Sequence, residues 1–352
     1  MDLYSPQTVS QAQKPLRGRL CLLFWVVVCS AIPAAAGTRA AARRPVDSPP
    51  LVRLERSLDA MGTTYTIVVY GADRFALDSA MEDAFDEAHR LDQLLSNYRP
   101  DSEWSRVNRE APKGPVHVSD ELFQLLEKCL GYSRASEGAF DITVGPLMKI
   151  WGFYKGSGRI PHRAEIRTAL GRIGWRHILL DAKARTVRFD EPVEMDPGGI
   201  GKGYAVDRMV EILRARGVTS GIISAGRSSI YGIGAPPNEP RGWHITLPNP
   251  REPNKDVADF YLKDGSMSTS GTSEKFFVAG GVTYSHIMDP RTGYPARGML
   301  TVSVLAPKTI DSEAWTKPYF ILGRQWAARH KPKDFRVFLC EDRTEIACES
   351  LP

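Results

Sequence analysis

The sequence predicts an α+β protein in which mixed or antiparallel sheets are flanked by helices. Apolar residues recur at helical spacing over residues 77–95, whereas residues 61–70 alternate as a strand does. Helical and strand patterns follow each other without the regular βαβ rhythm of a doubly wound sheet. The chain has 352 residues, of which 42% are hydrophobic and 25% charged. This composition is ordinary for a globular protein with a sizeable core.

Further elements are predicted along the chain. Ser119 and Asp120 are positioned to cap a second helix, whose apolar face includes Leu122, Leu126 and Cys129. The other predicted helices lie at 163–172, behind the loop at 206–213, and at 312–322. The predicted strands lie at 178–180, 186–189, 192–195, 221–224, 229–232, 244–247, 276–278, 301–305 and 336–339.

The N-terminal segment has the features of an export signal. Basic residues at positions 14, 17 and 19 precede an apolar run at 20–32, and an Ala-x-Ala site ends at Ala36. The run is short for a spanning helix, which needs roughly 20 apolar residues. An uncleaved membrane anchor is the alternative. The expected segments are a signal peptide at 1–36, a flexible tether at 37–50 and one domain at 51–352.

Charge and cysteine placement exclude two kinds of function. The net charge of +5 is dispersed, and no basic face is interleaved with aromatic residues, so nucleic-acid binding is not expected. Cys21 and Cys29 fall in the leader. Cys129 is expected to be a buried hydrophobe, while Cys340 and Cys348 flank a charged turn and could pair there. Because no cysteine lies near the glycine-rich loop described next, thiol catalysis is not expected.

The most informative segment is the glycine-rich loop at 196–207, which reads Asp-Pro-Gly-Gly-Ile-Gly-Lys-Gly-Tyr-Ala-Val-Asp. Its glycines allow backbone N–H groups to approach a ligand, and the helix start behind it adds partial positive charge. Lys202 adds a full charge, which suits a phosphate or pyrophosphate. The loop matches neither a Walker A sequence nor the G-x-G-x-x-G fingerprint. By itself it is more often a tight turn.

Three other segments carry polar groups suited to chemistry. Residues 268–273 form a hydroxyl-rich turn, His286 precedes an Asp-Pro turn within 285–293, and residues 311–317 open a helix with acidic side chains. Each has an ordinary structural explanation when taken alone. Their order and combination are more specific than any one of them.

Together these segments resemble the ApbE family of FAD:protein FMN transferases, from residue 61 to the C-terminus. The motifs that carry the resemblance are Met61-Gly62-Thr63, Leu95 to Arg99, Gly138 to Leu147, the glycine-rich loop, and Ser285 to Gly293. The resemblance implies a single large domain related to the T-fold. It also implies export to the bacterial periplasm or to the outer side of the inner membrane, which agrees with the leader.

The family resemblance implies phosphoryl transfer from FAD, with Mg²⁺ at the pyrophosphate. In the reaction that the resemblance implies, a threonine hydroxyl of a partner protein, expected to be a membrane-associated redox protein, attacks the FMN phosphorus and AMP leaves. His286 would accept the proton, titrating near working pH, with Asp196 as a second catalytic residue. The implied flavin and adenine contacts are Met61, Tyr98, Ala139, Phe140, Asp141, Asp196, Lys202, Arg227 and Met288.

The expected metal ligands depart from the family pattern. Gly199 is retained, but Glu313 stands where an aspartate is usual and Lys317 where a threonine is usual, while Thr316 points elsewhere on the helix. One hypothesis is that Lys317 pairs with Glu313 and places its ammonium at the metal position, helped by Arg227. The alternative is that Lys317 turns to solvent and Mg²⁺ binds through Glu313, Gly199 and phosphate oxygens.

Two other functions use the same pocket. A protein that binds FAD without transferring it would retain the pocket but release no AMP. A magnesium-dependent FAD pyrophosphatase would give FMN and AMP with water as the nucleophile. The sequence does not identify the acceptor protein.

Overall fold

A computed structural model describes residues 50–156 and 158–351. The predicted signal peptide and nearly all of the predicted tether lie outside these residues, as do Cys21 and Cys29. The helices are α1 (Arg74–Leu95), α2 (Glu103–Glu110), α3 (Asp120–Ala135), α4 (Gly145–Ile150), α5 (Arg163–Leu170), α6 (Gly201–Ala215) and α7 (Thr309–His330). None of the helices in the described part is long and apolar enough to cross a membrane.

The strands form one large antiparallel sheet and several small ones. The large sheet has eight strands in the order β1-β2-β6-β7-β10-β15-β16-β17. This combination of helices with antiparallel strands confirms the predicted α+β class. The strands are β1 (Val52–Ala60), β2 (Thr63–Gly71), β3 (Val116–His117), β4 (Ile178–Asp181), β5 (Thr186–Phe189), β6 (Ser220–Ala225), β7 (Ser229–Ile233), β8 (Trp243–Pro248), β9 (Asp256–Leu262), β10 (Gly265–Gly271), β11 (Phe276–Ala279), β12 (Val282–Ser285), β13 (Met288–Asp289), β14 (Tyr294–Pro295), β15 (Met299–Ala306), β16 (Arg336–Glu341) and β17 (Ala347–Ser350).

The two faces of the large sheet are covered differently. On one face, apolar residues of α1 and α6 such as Phe85 and Met209 share a core with Ile67 of β2. Further along the same sheet, Phe320 of α7 packs with residues of β15 and β16. The β8–β9 hairpin contributes Trp243 to a separate cluster with other strands of the sheet. The starts of α6 and α7 meet within the helical layer, where the Asp207 carboxylate accepts from the Thr309 N–H at 2.7 Å.

Local capping explains where the predicted helices begin. The Asp73 side chain accepts from the backbone N–H groups of Phe75 and Ala76, at 2.9 and 3.1 Å, before α1. The Ser119 hydroxyl accepts from the Leu122 N–H at 3.3 Å, as predicted for α3. Such side-chain acceptors satisfy N–H groups that have no partner within the helix.

Residues 192–195 are irregular, so the strand predicted there is wrong. Asn108 of α2, a helix that the sequence analysis missed, donates to the Met195 carbonyl at 2.9 Å and accepts from its N–H at 2.8 Å. Trp104 donates to the same carbonyl at 3.1 Å. Because side chains satisfy these backbone groups, the approach to the glycine-rich loop needs no strand partner.

Cys340 and Cys348 form a disulfide bond. They stand opposite each other in the antiparallel register of β16 and β17, with a Cα–Cα distance of 4.0 Å. Cys129 is buried and unpaired in α3, and burial raises the pKa of its thiol. The expectation that it is a structural hydrophobe agrees with this environment.

Candidate functional site

The described residues enclose a cavity of about 490 Å³ where the glycine-rich loop meets the β1–β2 turn, the β6–β7 turn and α7. Most of the predicted site residues line it, although they are distant in sequence. Glu313 is the exception. The predicted residues in the cavity wall are Met61, Tyr98, Ala139, Phe140, Asp141, Asp196, Gly199, Lys202, Arg227, His286, Met288 and Lys317.

The glycines of the loop serve two different purposes. A Cβ on Gly203 would lie 2.6 Å from the Thr309 carbonyl oxygen, so glycine there allows α6 to approach α7. A Cβ on Gly199 would stand 3.4 Å from the Phe140 ring and 3.7 Å from Cε of Lys317. Gly199 therefore faces the cavity, whereas Gly203 is required by helix packing.

Asp196 shapes the start of the loop. Its Oδ1 accepts from the Gly198 N–H at 2.6 Å, and its Oδ2 accepts from Asn97 at 3.1 Å and from the Tyr154 hydroxyl. Burial and the adjacent carboxylate raise the pKa of Tyr154, so its hydroxyl remains a donor. Tyr154 was not among the predicted site residues, because no local motif indicated it. These contacts support a structural role for Asp196 in addition to the predicted catalytic one.

Aromatic side chains stand at the cavity mouth. Tyr98 is 73% exposed, and its ring lies edge-on to that of Tyr154, with 5.8 Å between centroids. Phe140 and Met288 are buried in the same wall. An exposed aromatic face beside an apolar wall suits a flat conjugated ring.

Both oxygens of Asp141 are used within the protein. Oδ1 accepts from the N–H and hydroxyl of Thr143, at 2.8 and 2.7 Å, and Oδ2 accepts from the Trp175 N–H at 2.9 Å. Burial raises the pKa of Asp141, while these hydrogen bonds act in the opposite direction. The carboxylate thus holds the turn that presents Ala139 and Phe140 to the cavity.

Cationic side chains also line the cavity. Lys202, in the first turn of α6, donates to the Ser228 hydroxyl at 2.5 Å. Arg227 is exposed at the β6–β7 turn and makes no hydrogen bond to another described residue through its side chain. The adjacent Gly226 has φ +58°, which permits the turn that brings Arg227 to the cavity.

His286 has one ring nitrogen committed and one available. Nδ1 donates to the Lys275 carbonyl at 3.1 Å, which leaves Nε2 unprotonated in the neutral ring. Glu274 Oε2 lies 4.0 Å from Nε2. Burial lowers the pKa of His286 to about 4; the hydrogen bond to the Lys275 carbonyl opposes this shift, and the charges of Lys317, Lys202 and Lys275 add to it. The lowered pKa favours the neutral ring at working pH, and the neutral form is the one that accepts a proton.

The prediction that Glu313 and Lys317 form an ion pair is wrong. Lys317 Nζ donates to the Glu313 backbone carbonyl at 2.9 Å. The Glu313 carboxylate is only 2% exposed and accepts from the Gly203 N–H at 2.5 Å. The α6 helix provides this partner because its early N–H groups have none within the helix. Burial lowers the pKa of Lys317 to about 8, with Glu313 opposing and Lys202 adding to the shift.

These positions do not fit the predicted metal site. Glu313 faces the start of α6 outside the cavity lining, and Lys317, beside Gly199, is a cation. No group of three or more His, Cys, Asp or Glu side chains in the described part is arranged to hold a metal ion. Thr316 is also committed, because its hydroxyl donates to the Glu313 carbonyl at 2.7 Å and accepts from Ser270 at 2.8 Å.

The hydroxyl-rich segment is also corrected, because residues 268–271 belong to strand β10 and not to a turn. Ser268 and Ser270 point towards α7, where they bond Ser312 and Thr316, both at 2.8 Å. These hydrogen bonds hold α7 against the sheet. The segment supports the site by holding the helix that carries Lys317.

The cavity thus combines an aromatic and apolar wall, a glycine-rich turn with lysines, and a neutral histidine. This arrangement defines a protein that binds a flat, phosphate-bearing molecule and can deprotonate a nucleophile beside it. The ApbE family matches residues 61–338. The chain belongs to the ApbE family.

Curated relatives and solved structures agree with this membership. The FAD:protein FMN transferase of Klebsiella pneumoniae strain 342 is 32% identical over 294 residues, covering 81% of this chain and 89% of the relative. That of Treponema pallidum is 30% identical and covers 75% and 77%. The ApbE crystal structure from Thermotoga maritima superposes with a TM-score of 0.77 at 30% identity, covering 84% and 96% of the two chains. The flavinyl transferase ApbE of Pseudomonas stutzeri gives 0.75 at 26% identity, covering 85% and 95%.

Proposed function

We propose that this chain transfers FMN from FAD to a threonine hydroxyl of a partner protein and releases AMP. The observation that carries this proposal is the position of His286. Its free Nε2 belongs to the same cavity as Lys202, Lys317 and the aromatic mouth. A proton acceptor, positive charge and a platform for a flat ring are the groups that this transfer requires.

The chemistry follows from these positions. The threonine oxygen forms a bond to the phosphorus on the FMN side, and the bond from that phosphorus to the bridging oxygen breaks. The hydroxyl proton moves to Nε2 of His286, and the electron pair of the broken bond leaves with AMP. Lys202 and Lys317 stabilise the negative charge that grows on the departing phosphate, while Asp196 keeps the loop in position.

Mg²⁺ is the cation that the family resemblance implies. When bound to a pyrophosphate, such an ion neutralises charge on the phosphate oxygens. In this chain the expected protein ligand Glu313 is turned towards Gly203, and Lys317 brings an ammonium beside Gly199. No step of the proposed reaction depends on the metal.

The basic and apolar N-terminal segment supports action outside the cytoplasm. We place the mature protein in the bacterial periplasm or on the outer side of the inner membrane, where its acceptor would be a membrane-associated redox protein. Mass measurement of the protein recovered from exporting cells checks cleavage after Ala36. A retained leader of full mass would indicate an anchor instead.

The central test is an incubation of the purified protein with FAD, Mg²⁺ and a candidate acceptor. Flavin fluorescence that stays with the acceptor through denaturing electrophoresis, together with AMP, is the expected result. An acceptor variant with alanine in place of the target threonine is the control. AMP without labelled acceptor would indicate a pyrophosphatase, and bound FAD without either product would indicate a binding protein.

A further inference from the structure

We propose that the ammonium groups of Lys317 and Lys202 form the diphosphate subsite of this cavity and replace a divalent cation in FAD binding. The inference rests on the proposed function, since FAD is its ligand. It goes beyond that function in stating that FAD binds without a metal ion. The hydrogen bonds of the side chains in and beside the cavity wall decide which ion the site prefers.

Three of the carboxylates near the cavity already accept hydrogen bonds from the protein, whereas Asp92 and Glu274 also line the cavity and their carboxylates accept none from another described residue. Asp141 accepts from Thr143 and Trp175, and Asp196 accepts from Gly198, Asn97 and Tyr154. Glu313, which is outside the lining, is used by Gly203. A divalent cation would have to displace these donors, use Asp92 or Glu274, or bind mainly through phosphate oxygens and water.

The lysines, in contrast, have donors left for a ligand. An ammonium group carries three N–H donors. Lys317 uses one on the Glu313 carbonyl, and Lys202 uses one on the Ser228 hydroxyl. Both line the cavity, so their remaining donors can face a ligand there.

Position and charge also match a diphosphate. Cε of Lys317 lies 3.7 Å from the place a Gly199 Cβ would take, so the ammonium stands beside the loop at the start of α6. Lys202 belongs to the first turn of that helix, where the dipole favours an anion. Two phosphates that each carry a negative charge can thus be matched by two ammonium groups, with Arg227 exposed at the margin.

The experiment measures FAD and riboflavin affinity by flavin fluorescence, in buffer with EDTA and in buffer with Mg²⁺. Riboflavin has the same ring but no phosphate. The test variant is Lys317→Met, which keeps the side-chain bulk, and Lys317→Arg restores the charge. Lys308→Met removes an equal charge just before α7, outside the cavity lining, and is the matched control. Thermal unfolding checks that each variant is folded.

For the unaltered protein, the dissociation constant for FAD should differ by less than about twofold between the two buffers. Lys317→Met should weaken FAD binding about tenfold or more in EDTA, as expected for a lost charge-assisted hydrogen bond, and leave riboflavin binding unchanged. Lys317→Arg should recover most of the affinity, and Lys308→Met should show no change.

Loss of FAD binding in EDTA with recovery in Mg²⁺ would overturn the inference. Equal weakening of FAD and riboflavin in Lys317→Met would also overturn it, because the effect would then come from packing. The proposed function fails separately, if FAD binds but no FMN reaches an acceptor. Absence of binding by both flavins in every buffer would refute both proposals.

Discussion

The acidic and the basic side chains near the cavity differ in how their hydrogen-bonding groups are used. Asp141, Asp196 and Glu313 each accept from backbone N–H groups and so hold turns or helix starts in place. Lys202 and Lys317 each make one hydrogen bond and retain other donors. These three acidic groups therefore build the cavity, and the two lysines are available to a ligand.

This difference explains why residue type alone misidentified the metal site. A glutamate and a lysine four positions apart on a helix predict an ion pair. Here the Gly203 N–H competes for the Glu313 carboxylate, since a helix start has unpaired donors, and the Lys317 ammonium turns to a carbonyl of its own helix. The partner of each group comes from tertiary packing.

The largest expected effect is on the transfer rate and comes from substitution of a basic side chain. His286→Gln should lower the rate of FMN transfer by about 10²–10⁴-fold, because no group would accept the threonine proton. FAD affinity should change little, since the imidazole is expected to contact the acceptor hydroxyl. Single-turnover transfer and FAD titration measure the two effects. Equal losses in rate and affinity would show that His286 binds FAD instead.

Among the acidic side chains, two substitutions of Asp196 distinguish a structural role of its carboxylate from an electrostatic one. Asp196→Ala removes the acceptor for Gly198, Asn97 and Tyr154, so FAD affinity should fall about tenfold, as expected for loss of a charged hydrogen-bonding group. Asp196→Asn retains an oxygen for the Gly198 N–H and should keep most of the affinity. If both variants lost transfer equally while FAD still bound, the negative charge itself would be required.

Much of the architecture is readable from local pattern, whereas the hydrogen-bonding partners are not. Periodicity and capping residues predicted α1 and α3, and the ordered motifs indicated the family. Met195 is held by Trp104 and Asn108 of a helix that the sequence analysis missed. Such contacts join residues far apart in the chain, and local patterns carry no information about them.

Substitution of Glu313 should have a smaller effect, and that effect is on stability. Glu313→Ala removes the acceptor of the Gly203 N–H and should lower the free energy of unfolding by about 1–2 kcal/mol, as loss of a helix cap does. Glu313→Gln keeps an oxygen acceptor and should be closer to the unaltered protein. Chemical denaturation measures both. Weaker FAD binding by Glu313→Gln in Mg²⁺ alone would make this carboxylate a metal ligand and remove the contrast between the two sides.

The smallest expected effect is that of pH on transfer. The pKa of His286 is lowered from 6.5 to about 4 by burial, with Lys317, Lys202 and Lys275 adding to the shift and Glu274 4.0 Å from Nε2. Between pH 7 and 6 the ring is neutral and Lys317, whose pKa is lowered to about 8, keeps its charge, so the single-turnover rate should vary by less than about twofold there.

Below pH 5 the rate should decline as His286 becomes protonated. The same shift should reduce stability as the pH falls from 6.5 to 4, because the unfolded chain binds this proton first. The His286→Gln variant lacks this contribution and serves as the reference in both measurements. A rate that halves near pH 6.5 would mean that the imidazole is hydrated and that the neighbouring lysines do not act on it. Water would then screen the charges of the lysines. The difference between the basic and the acidic side chains near the cavity would be lost.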